Sequence, residues 1–373
     1  MTISNPSDSI RVAIAGVGNC ASSLVQGITY YAQNNHSELN GIMLPEIGDY
    51  RPCDMEIVAA FDVDKRKVGL PLHDAIFSQP NCTRVFQENI ENGDVIVSMG
   101  PILDGVADHM ADYPEESAFR PSEKSACDVV QVLKNSKADV LVNYMPVGAE
   151  ESSKFYAQSC LDAGVAFINC VPVFIASTKE WSDKFEKAGL PIIGDDIKSQ
   201  VGATITHRML ADLFSKRGYS LKRTYQLNTG GNTDFLNMLS QERLISKKKS
   251  KTNSVQSQLS SPMEANDIHI GPSDYVPWQK DNKIAFIRLE GEGFGGAPIE
   301  LEMRLSVQDS PNSAGVVIDA IRCAKLALDY KISGPLIAPS ALYMKSPSQQ
   351  MNDHDAFNAL EEFIKSPSKT INS

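Results

Sequence analysis

The sequence predicts an α/β protein in which a doubly wound parallel sheet carries a second, inserted α+β domain. Short apolar runs alternate with helical stretches from Ile10 to about Leu210, and a glycine-rich turn follows the first run. From about Lys222 the pattern changes to longer alternating strands, which indicates a different sheet. The chain of 373 residues also exceeds the size at which one hydrophobic core usually stops growing, so we expect two domains.

The strands of the first part are short and apolar, as expected of strands buried on both faces, and we predict them at residues 11–15, 57–62, 95–98, 140–144, 165–169 and 191–193. Helices are predicted at residues 122–134, 150–163, 204–215 and 313–330. Alternating runs at 284–289 and 299–307 predict strands of an antiparallel or mixed sheet. The stretch 247–262 has almost no apolar periodicity, and we expect a mobile excursion there.

The composition is that of a globular protein, with 42% apolar and 22% charged residues. The net charge of -11 argues against nucleic-acid binding, because neutralising phosphates needs a basic surface. Nowhere do about eighteen apolar residues run together, so we expect no membrane-spanning segment. The start of the chain lacks the features of a signal peptide, and the seven cysteines form no C-x-x-C pair. These features predict a cytoplasmic protein without disulfides.

A G-x-G-x-x-A motif lies between the first predicted strand and a helix that begins near Ser22. Gly16 permits a tight turn, Gly18 lets backbone approach a pyrophosphate, and Ala21 allows close packing of the helix. The N-terminus of that helix attracts the anion. The motif therefore predicts a Rossmann-type dinucleotide site, although an ordinary glycine turn between a strand and a helix has the same letters.

Asp62 ends the second predicted strand, where an acid commonly binds the ribose diol and repels a 2′-phosphate. The position favours NAD over NADP. The distance from the glycines is longer than the usual gap of about twenty residues, because residues 34–54 are inserted. The alternative is that Asp62 only caps the strand end or lies on the surface.

Two further polar clusters follow predicted strands. In the first, Asp195, Asp196 and Lys198 stand at a helix start, where they could coordinate a cation or position hydroxyl groups; an acidic helix cap with its counter-charge is the alternative. In the second, residues 228–234 place amide, hydroxyl and carboxylate groups, including Asp234, on a glycine turn. Such a loop suits a polyhydroxylated ligand, but a plain turn has a similar composition.

The lysine-rich run from Lys247 to Lys251 stands out in an acidic chain. One interpretation is a solvated charge run or a nuclear-type signal. The other is a set of lysines that folds over an anionic substrate and stabilises an oxyanion. Lys283 and Lys345 are unremarkable in isolation.

Ten segments of the sequence match those of a known protein family: GVGNCASSLVQG, AAFDVD, LVNYMPVG, VPVFIAS, GDDIKSQVGATITHR, GGNTDFLNM, ISKKKSKT, HIGPSD, DSPNSAG and YMKSP. With them the chain resembles the myo-inositol-1-phosphate synthase family, in its short actinobacterial-type form, nearly end to end. The resemblance implies a discontinuous NAD-binding Rossmann domain, residues 1–200 plus 310–373, and a catalytic and oligomerisation domain, residues 201–309. It also implies a homotetramer.

The family implies redox-neutral cyclisation of D-glucose 6-phosphate to 1D-myo-inositol 3-phosphate with tightly held NAD. A hydride leaves C5, C6 loses a proton, the enolate attacks C1 in an intramolecular aldol step, and the hydride returns. A divalent cation, zinc or magnesium, accompanies some members, but the residues alone indicate no ligand set. The alternatives are a net NAD-dependent sugar-phosphate dehydrogenase, which the dinucleotide motif alone would favour, and a noncatalytic NAD-binding sensor or scaffold.

The resemblance also implies roles for single residues. Lys247 and Lys251 match the two lysines assigned to oxyanion stabilisation, proton transfer and phosphate contacts, Lys345 matches the C-terminal active-site lysine, and Lys283 is the candidate for the remaining one. The eukaryotic pattern has that lysine in a G-D-S-K turn, whereas this chain has the glycines of residues 293–296 nearby. Asp196 and Asp234 match acids that position sugar hydroxyls, the nicotinamide or a cation.

The cofactor-binding residues implied by the resemblance come from several strand ends. Those of the glycine loop, which replace a glycine- and asparagine-rich eukaryotic loop, are Gly16, Gly18, Asn19, Cys20, Ala21 and Ser22. The others, which we expect along the NAD site, are Asp62, Ser98, Tyr144, Pro146, Asp195, Lys198 and Asp309, the last near the cofactor or a metal.

Overall fold

The computed structural model describes residues 9–33, 39–90, 95–259 and 263–366, with only the backbone of residues 241, 242, 244–248, 272 and 273. The strands are β1 (Ile10–Ala15), β2 (Met55–Asp62), β3 (Ser98–Met99), β4 (Val140–Asn143), β5 (Ala166–Asn169), β6 (Pro191–Ile193), β7 (Ser220–Gly230), β8 (Ile268–Tyr275), β9 (Asn282–Glu292), β10 (Pro298–Gln308) and β11 (Gly334–Pro335). The helices are α1 (Asn19–Gln33), α2 (Leu72–Ala75), α3 (Val129–Asn135), α4 (Glu150–Ala163), α5 (Lys179–Ala188), α6 (Ala203–Lys216), α7 (Thr233–Asn237), α8 (Gln241–Gln256), α9 (Asp309–Asp329), α10 (Ile337–Tyr343) and α11 (Asp353–Lys365).

The larger sheet has seven parallel strands in the order β11-β6-β5-β4-β1-β2-β3. The chain builds outward from β1 to β3 and then crosses to β4 on the other side of β1. This reversal creates a switch point at the carboxyl ends of β1 and β4, where ligands of open α/β sheets bind. The Rossmann-type fold class predicted from the sequence is confirmed.

Strand β1 shows why the sheet is buried on both faces. Val12 and Ile14 belong to one hydrophobic cluster, which α1 and α9 cover. Ala13 and Ala15 point the other way, into the cluster that α3, α4 and α5 complete. Because side chains alternate along a strand, a continuous apolar run supplies both cores, as the sequence predicts for a parallel sheet.

The smaller sheet is mixed, with the strand order β10-β9-β7-β8. Strand β9 pairs antiparallel with β7 and β10, whereas β7 and β8 are parallel. One face of β9 presents Ala285, Ile287 and Leu289 to Phe214 of α6. Helix α9 leaves this sheet after β10 and packs on α1 and on strands of the parallel sheet.

Three predicted elements differ from the structure. Strand β3 has only two residues, and Ile96 makes an isolated bridge to Pro71. The helix predicted at 122–134 begins only at Val129, because the backbone N–H of Cys127 donates to the carbonyl of Met99 and Asp128 caps the helix. We expected a mobile excursion at 247–262, but residues 247–256 belong to the regular helix α8. Residues 260–262 lie outside the described residues.

None of the described helices combines the length and the apolar character needed to cross a membrane.

The buried side chains described in α8 are Ser250, Lys251, Ser254 and Val255, of which only Val255 is apolar. This explains why an apolar pattern did not reveal the helix.

Candidate active site

A cavity of about 1160 Å³, its open mouth included, lies beside the switch point of the parallel sheet. Its walls come from the glycine loop after β1, the segments after β4 and β5, residues 196–204, the turn before α7, and the start of α9. Three lysines also line it: Lys251 from α8, Lys283 from β9 and Lys345 after α10. The cavity therefore combines a dinucleotide-type loop with cationic groups from three separate elements.

The glycine loop has the shape that its letters predict. Gly16 has a positive φ of 95°, and a Cβ atom there would lie 2.6 Å from the carbonyl oxygen of Tyr144. No heavy atom lies within 4 Å of the Cβ position of Gly18. Helix α1 begins at Asn19, so its first backbone N–H groups face the same space. Tight backbone at Gly16 and open space at Gly18 are the geometry of an anion cradle.

The four residues after Gly18 either support the loop or lie at the cavity. The Asn19 side chain accepts hydrogen bonds from the backbone N–H groups of Cys82 and Thr83, at 2.7 and 2.9 Å. Ala21 and Ser22 are fully buried behind the cavity. The Cys20 thiol lines the cavity, and its removal from water, assisted by two nearby carboxylates, raises its pKa to about 12. The thiol is therefore protonated and is no nucleophile at neutral pH.

Lys67 supports the loop from beneath, although no sequence motif indicated this role. Its ammonium group is fully buried and donates to the carbonyl of Val17 at 2.7 Å and to Oδ1 of Asn81 at 2.8 Å. Burial lowers the pKa of Lys67. Asn81 donates to the same Val17 carbonyl at 3.1 Å, so two side chains fix the loop.

Asp62 caps the same loop from the end of β2. Its Oδ2 accepts from the backbone N–H of Val17 at 2.7 Å, and its Oδ1 accepts from those of Val63 and Asp64. The carboxylate is half-buried and does not line the cavity. Ser98 does not line it either, whereas Tyr144 and Pro146 do. The buried Tyr144 hydroxyl has no hydrogen-bond partner within the described part of the chain.

Asp196 is the centre of a polar cluster on the cavity wall. Its Oδ1 accepts from Nζ of Lys345 at 2.7 Å, and its Oδ2 accepts from Oγ of Ser250 at 2.7 Å. Lys345 also donates to the carbonyl of Ile197 at 2.7 Å. Asp196 has a positive φ of 66°, a conformation uncommon for residues other than glycine and more often accepted by Asp and Asn. The cluster joins the GDD segment, α8 and the segment after α10.

The neighbouring Asp195 and Lys198 lie behind the wall and do not line the cavity. The Asp195 carboxylate is fully buried and accepts from Asn169, from Ser177 and from backbone N–H groups of residues 175–177. Burial raises its pKa to about 6, although the donors oppose the shift. Nζ of Lys198 donates to the carbonyl of Ala341 at 2.8 Å, and burial lowers its pKa to about 7. A direct role of either residue in cofactor binding stays a prediction.

A second ion pair, from other elements of the fold, also lines the cavity. Nζ of Lys283 lies 3.2 Å from Oδ1 of Asp309, and both residues line the cavity. Beside them, the buried carboxylate of Asp281 accepts from Asn232, Ser310 and Thr83. Burial, followed by the charge of Asp309, raises the pKa of Asp281 to about 6. Asp281, which lies two positions before Lys283, is not among the site residues predicted from the sequence.

The remaining predicted residues come from α7 and α8. Asp234 lines the cavity from the first turn of α7, which the Asn232 side chain caps by accepting from the N–H groups of Asp234 and Phe235. Lys251 is 5% exposed. The backbone of Lys247 lies one turn earlier in α8, and its side chain is outside the described atoms.

Comparison with known proteins decides the family. A family model for myo-inositol-1-phosphate synthase matches residues 202–310. The inositol-3-phosphate synthase of Mycobacterium tuberculosis (strain CDC 1551 / Oshkosh) is 56% identical over 359 residues, which are 96% of each chain. The inositol-3-phosphate synthase of Mycolicibacterium smegmatis is 55% identical over 95% of this chain and 98% of its own.

The chain belongs to the inositol-3-phosphate synthase family. The resemblance inferred from the motifs is therefore confirmed, and with it the assignment to an enzyme family of intramolecular lyases. The crystal structure of a myo-inositol-1-phosphate synthase-related protein from Thermotoga maritima is 25% identical, with a TM-score of 0.79 over 96% of this chain and 98% of its own. Inositol-3-phosphate synthase from Caenorhabditis elegans, at 14% identity, shares the fold with a TM-score of 0.74, over 96% of this chain and 86% of its own.

Within this family fold, the described residues offer no set of metal ligands. No three His, Cys, Asp or Glu side chains among residues 9–33, 39–90, 95–259 and 263–366 come together in a way that could hold a metal ion. The cavity instead collects ammonium groups, carboxylates and hydroxyls. Such groups can bind a sugar phosphate and can stabilise negative charge that develops on an oxygen atom.

Proposed function

We propose that this member of the inositol-3-phosphate synthase family converts D-glucose 6-phosphate to 1D-myo-inositol 3-phosphate and uses NAD as a cofactor that is regenerated in each cycle. The observation that supports this function best is the meeting of Lys251, Lys283 and Lys345 with the glycine loop in one cavity. A net dehydrogenase needs the loop and one group that removes the hydroxyl proton as the hydride leaves. A cyclase must also stabilise several oxyanions in succession, and three ammonium groups suit that task.

The residues fit a dinucleotide. The open space at Gly18 and the N–H groups at the start of α1 would hold the pyrophosphate, while Asp62 supports the loop from the end of β2, the position at which an acid of this fold commonly binds a ribose. The Tyr144 hydroxyl, which lacks a protein partner among the described residues, is available to a polar group of the cofactor. When bound, NAD supplies an acceptor that takes a hydride from the sugar and later returns it.

The substrate is an anion in a protein of net charge -11, so local charge must attract it. Lys251 and Lys283 bring ammonium groups to the cavity, and Asp196 and Asp234 bring carboxylates that accept hydrogen bonds from sugar hydroxyls. Charged groups on low-dielectric walls act more strongly than they do in water. The cavity therefore suits a ligand that carries a phosphate at one end and hydroxyls along its length.

Lys345 is placed to stabilise charge at a fixed point. Its ammonium is held by Asp196 and by the carbonyl of Ile197, so its position is set before substrate arrives. Preorganised donors lower the barrier because they need no rearrangement as the oxyanion develops. Lys283, held by Asp309, can play the same part at another point of the cavity. The described residues do not form a ligand set for a divalent cation.

We also propose the discontinuous division into residues 1–200 plus 310–373 and residues 201–309. The two sheets support it, because β11 joins the parallel sheet while β7–β10 form the other. An oligomer, the homotetramer of the resemblance, is supported by Leu227 and Phe286, which are paired on β7 and β9 and 42% and 41% exposed. The seven cysteines, all free thiols, support a cytoplasmic location.

The test is to incubate the purified protein with D-glucose 6-phosphate and NAD and to follow both product and cofactor. We expect periodate-sensitive inositol phosphate to accumulate with no net NADH. Steady NADH formation in proportion to consumed sugar phosphate would instead establish a dehydrogenase. Binding of NAD without any turnover would favour a sensor or scaffold.

A further inference from the structure

Arg208 of α6 is a fully buried arginine outside the cavity, and its guanidinium contacts the helix that carries Lys251. Its Nη1 donates to the carbonyl oxygen of Ser254 at 2.7 Å, to the Ser254 hydroxyl at 3.2 Å and to the Ser257 hydroxyl at 3.0 Å. Ser254 is one helical turn after Ser250, the residue that donates to Asp196. One cation thus holds the same face of α8 that reaches the cavity.

The other side of the guanidinium contacts the segment that carries Lys345. Nη2 donates to the carbonyl of Met351 at 3.0 Å and to Oδ1 of Asp353 at 2.9 Å, and Nε donates to Oδ2 at 3.3 Å. These acceptors lie at the end of the stretch between Lys345 and α11. Arg208 therefore joins two segments, far apart in sequence, that each bring a lysine to the cavity.

Most of the contacts described at this junction are polar, so the Arg208 guanidinium contributes much of what holds the two segments together. In α8 the only apolar side chain among those described as buried is Val255. Lys198 lies 3.6 Å from the same Asp353 carboxylate, so two buried cations share one anion. Truncation of one partner in such a cluster leaves charges unpaired away from water, and the segments they hold shift.

We propose that Arg208 is a positioning residue for catalysis, which holds α8 against the segment after α10 so that Lys251 and Lys345 act on the same substrate. This inference rests on the proposed function. Small displacements matter here, because a misplacement of about 1 Å can reduce the rate of a catalysed reaction by about 100-fold. None of the hydrogen bonds described for Arg208 reaches the glycine loop.

The experiment compares Arg208→Lys with a matched control, Arg322→Lys. Arg322 of α9 is also fully buried and donates to the carbonyls of Leu44, Pro45 and Tyr50 and to Asp319, none of which lines the cavity. For each variant, kcat and KM for glucose 6-phosphate, the Kd for NAD and the Tm are measured. We expect Arg208→Lys to lower kcat by about 10-fold or more, with the NAD Kd changed less than about 2-fold. Arg322→Lys should lower the Tm to a similar extent while kcat stays within about 2-fold of wild type.

Equal loss of kcat in the two variants, or an unchanged kcat in Arg208→Lys, would overturn the proposal. If Arg208→Lys does not fold, Asp353→Asn decides by the same criteria, because it keeps the arginine and removes its anionic partner. Failure of the proposed function has a different signature, since the wild-type protein itself would then form no inositol phosphate.

Discussion

Nζ of Lys345 lies 2.7 Å from Oδ1 of Asp196, although 149 positions separate the two residues in the sequence. Their side chains are 12% and 4% exposed, so the ion pair lies largely out of water on the cavity wall. Water screens such a pair poorly, so removal of one charge should strongly disturb the position of the other. The pair is therefore expected to behave as one functional unit.

Asp196→Asn should lower kcat by about 100-fold, because it removes the anion that fixes the Lys345 ammonium. The NAD Kd should stay close to that of wild type, since Asp196 does not belong to the glycine loop. Product formation and a cofactor titration measure the two quantities. A double variant with Lys345→Met should fall no further than the poorer single variant, because residues that act as a unit are not additive. Additive losses would show that the two residues act separately.

Helix α8 provides a matched pair of lysines. Lys251 is 5% exposed and lines the cavity, whereas Lys249 is exposed and stands 5.5 Å from the ring of Phe174. Lys251→Ala should reduce kcat/KM by about 100-fold or more through loss of a buried cation next to the substrate. Lys249→Ala should change it less than about 2-fold, as an exposed cation–π contact contributes about 0.5–1 kcal/mol and only to stability. Steady-state kinetics on both variants make the comparison, and similar losses would contradict the assignment.

The two glycines of the loop should respond to alanine in opposite ways. Gly18→Ala meets no atom within 4 Å, so the Tm should not change, but the added methyl group would stand where backbone approaches the pyrophosphate and NAD affinity should fall about 10-fold or more. Gly16→Ala would collide with the Tyr144 carbonyl at 2.6 Å and would require a positive φ, so the Tm should fall. Calorimetry and NAD titration separate the effects. Unchanged NAD binding in a folded Gly18→Ala variant would place the cofactor elsewhere.

The sequence predicted the parallel sheet well, because a strand buried on both faces is a continuous apolar run with turn residues at its ends. Val12, Ala13, Ile14 and Ala15 show this directly, as alternate residues enter different cores. The failures have tertiary causes. The backbone N–H of Cys127 donates to the carbonyl of Met99 in β3, so the helix begins later than predicted. In α8, three of the four side chains described as buried are polar, so an apolar pattern did not predict this part of the helix.

The site was predictable only in part. Motif letters and the resemblance indicated that Asp196, Lys283 and Lys345 would share a site, but no pattern distinguishes Asp195 from Asp196. The backbone between them decides that one carboxylate is enclosed by protein donors and the other faces the cavity. Arg208 could not be recognised either, because its partners Ser254 and Asp353 lie 46 and 145 positions away.

His207, which does not itself line the cavity, is expected to make the stability of the fold sensitive to acid. Nε2 lies 2.7 Å from the Thr224 hydroxyl, which itself donates to the carbonyl of Arg288, so the histidine nitrogen carries the proton in this contact. Burial lowers the pKa of His207 to about 4 from an ordinary 6.5. The folded state therefore keeps a neutral imidazole between pH 6.5 and 4, where the unfolded chain binds a proton.

Because the unfolded state binds more protons in this range, stability falls as the pH is lowered from 6.5 to 4. At about 1.4 kcal/mol per pH unit, His207 should account for a loss of about 3 kcal/mol. His207→Gln keeps a polar group next to Thr224 but has no titrating ring, so its free energy of unfolding should decline less steeply with acid. Urea unfolding at several pH values measures both slopes. Parallel curves for wild type and variant would show that His207 is not the group responsible, whereas convergence toward pH 4 would assign the proton uptake to this ring.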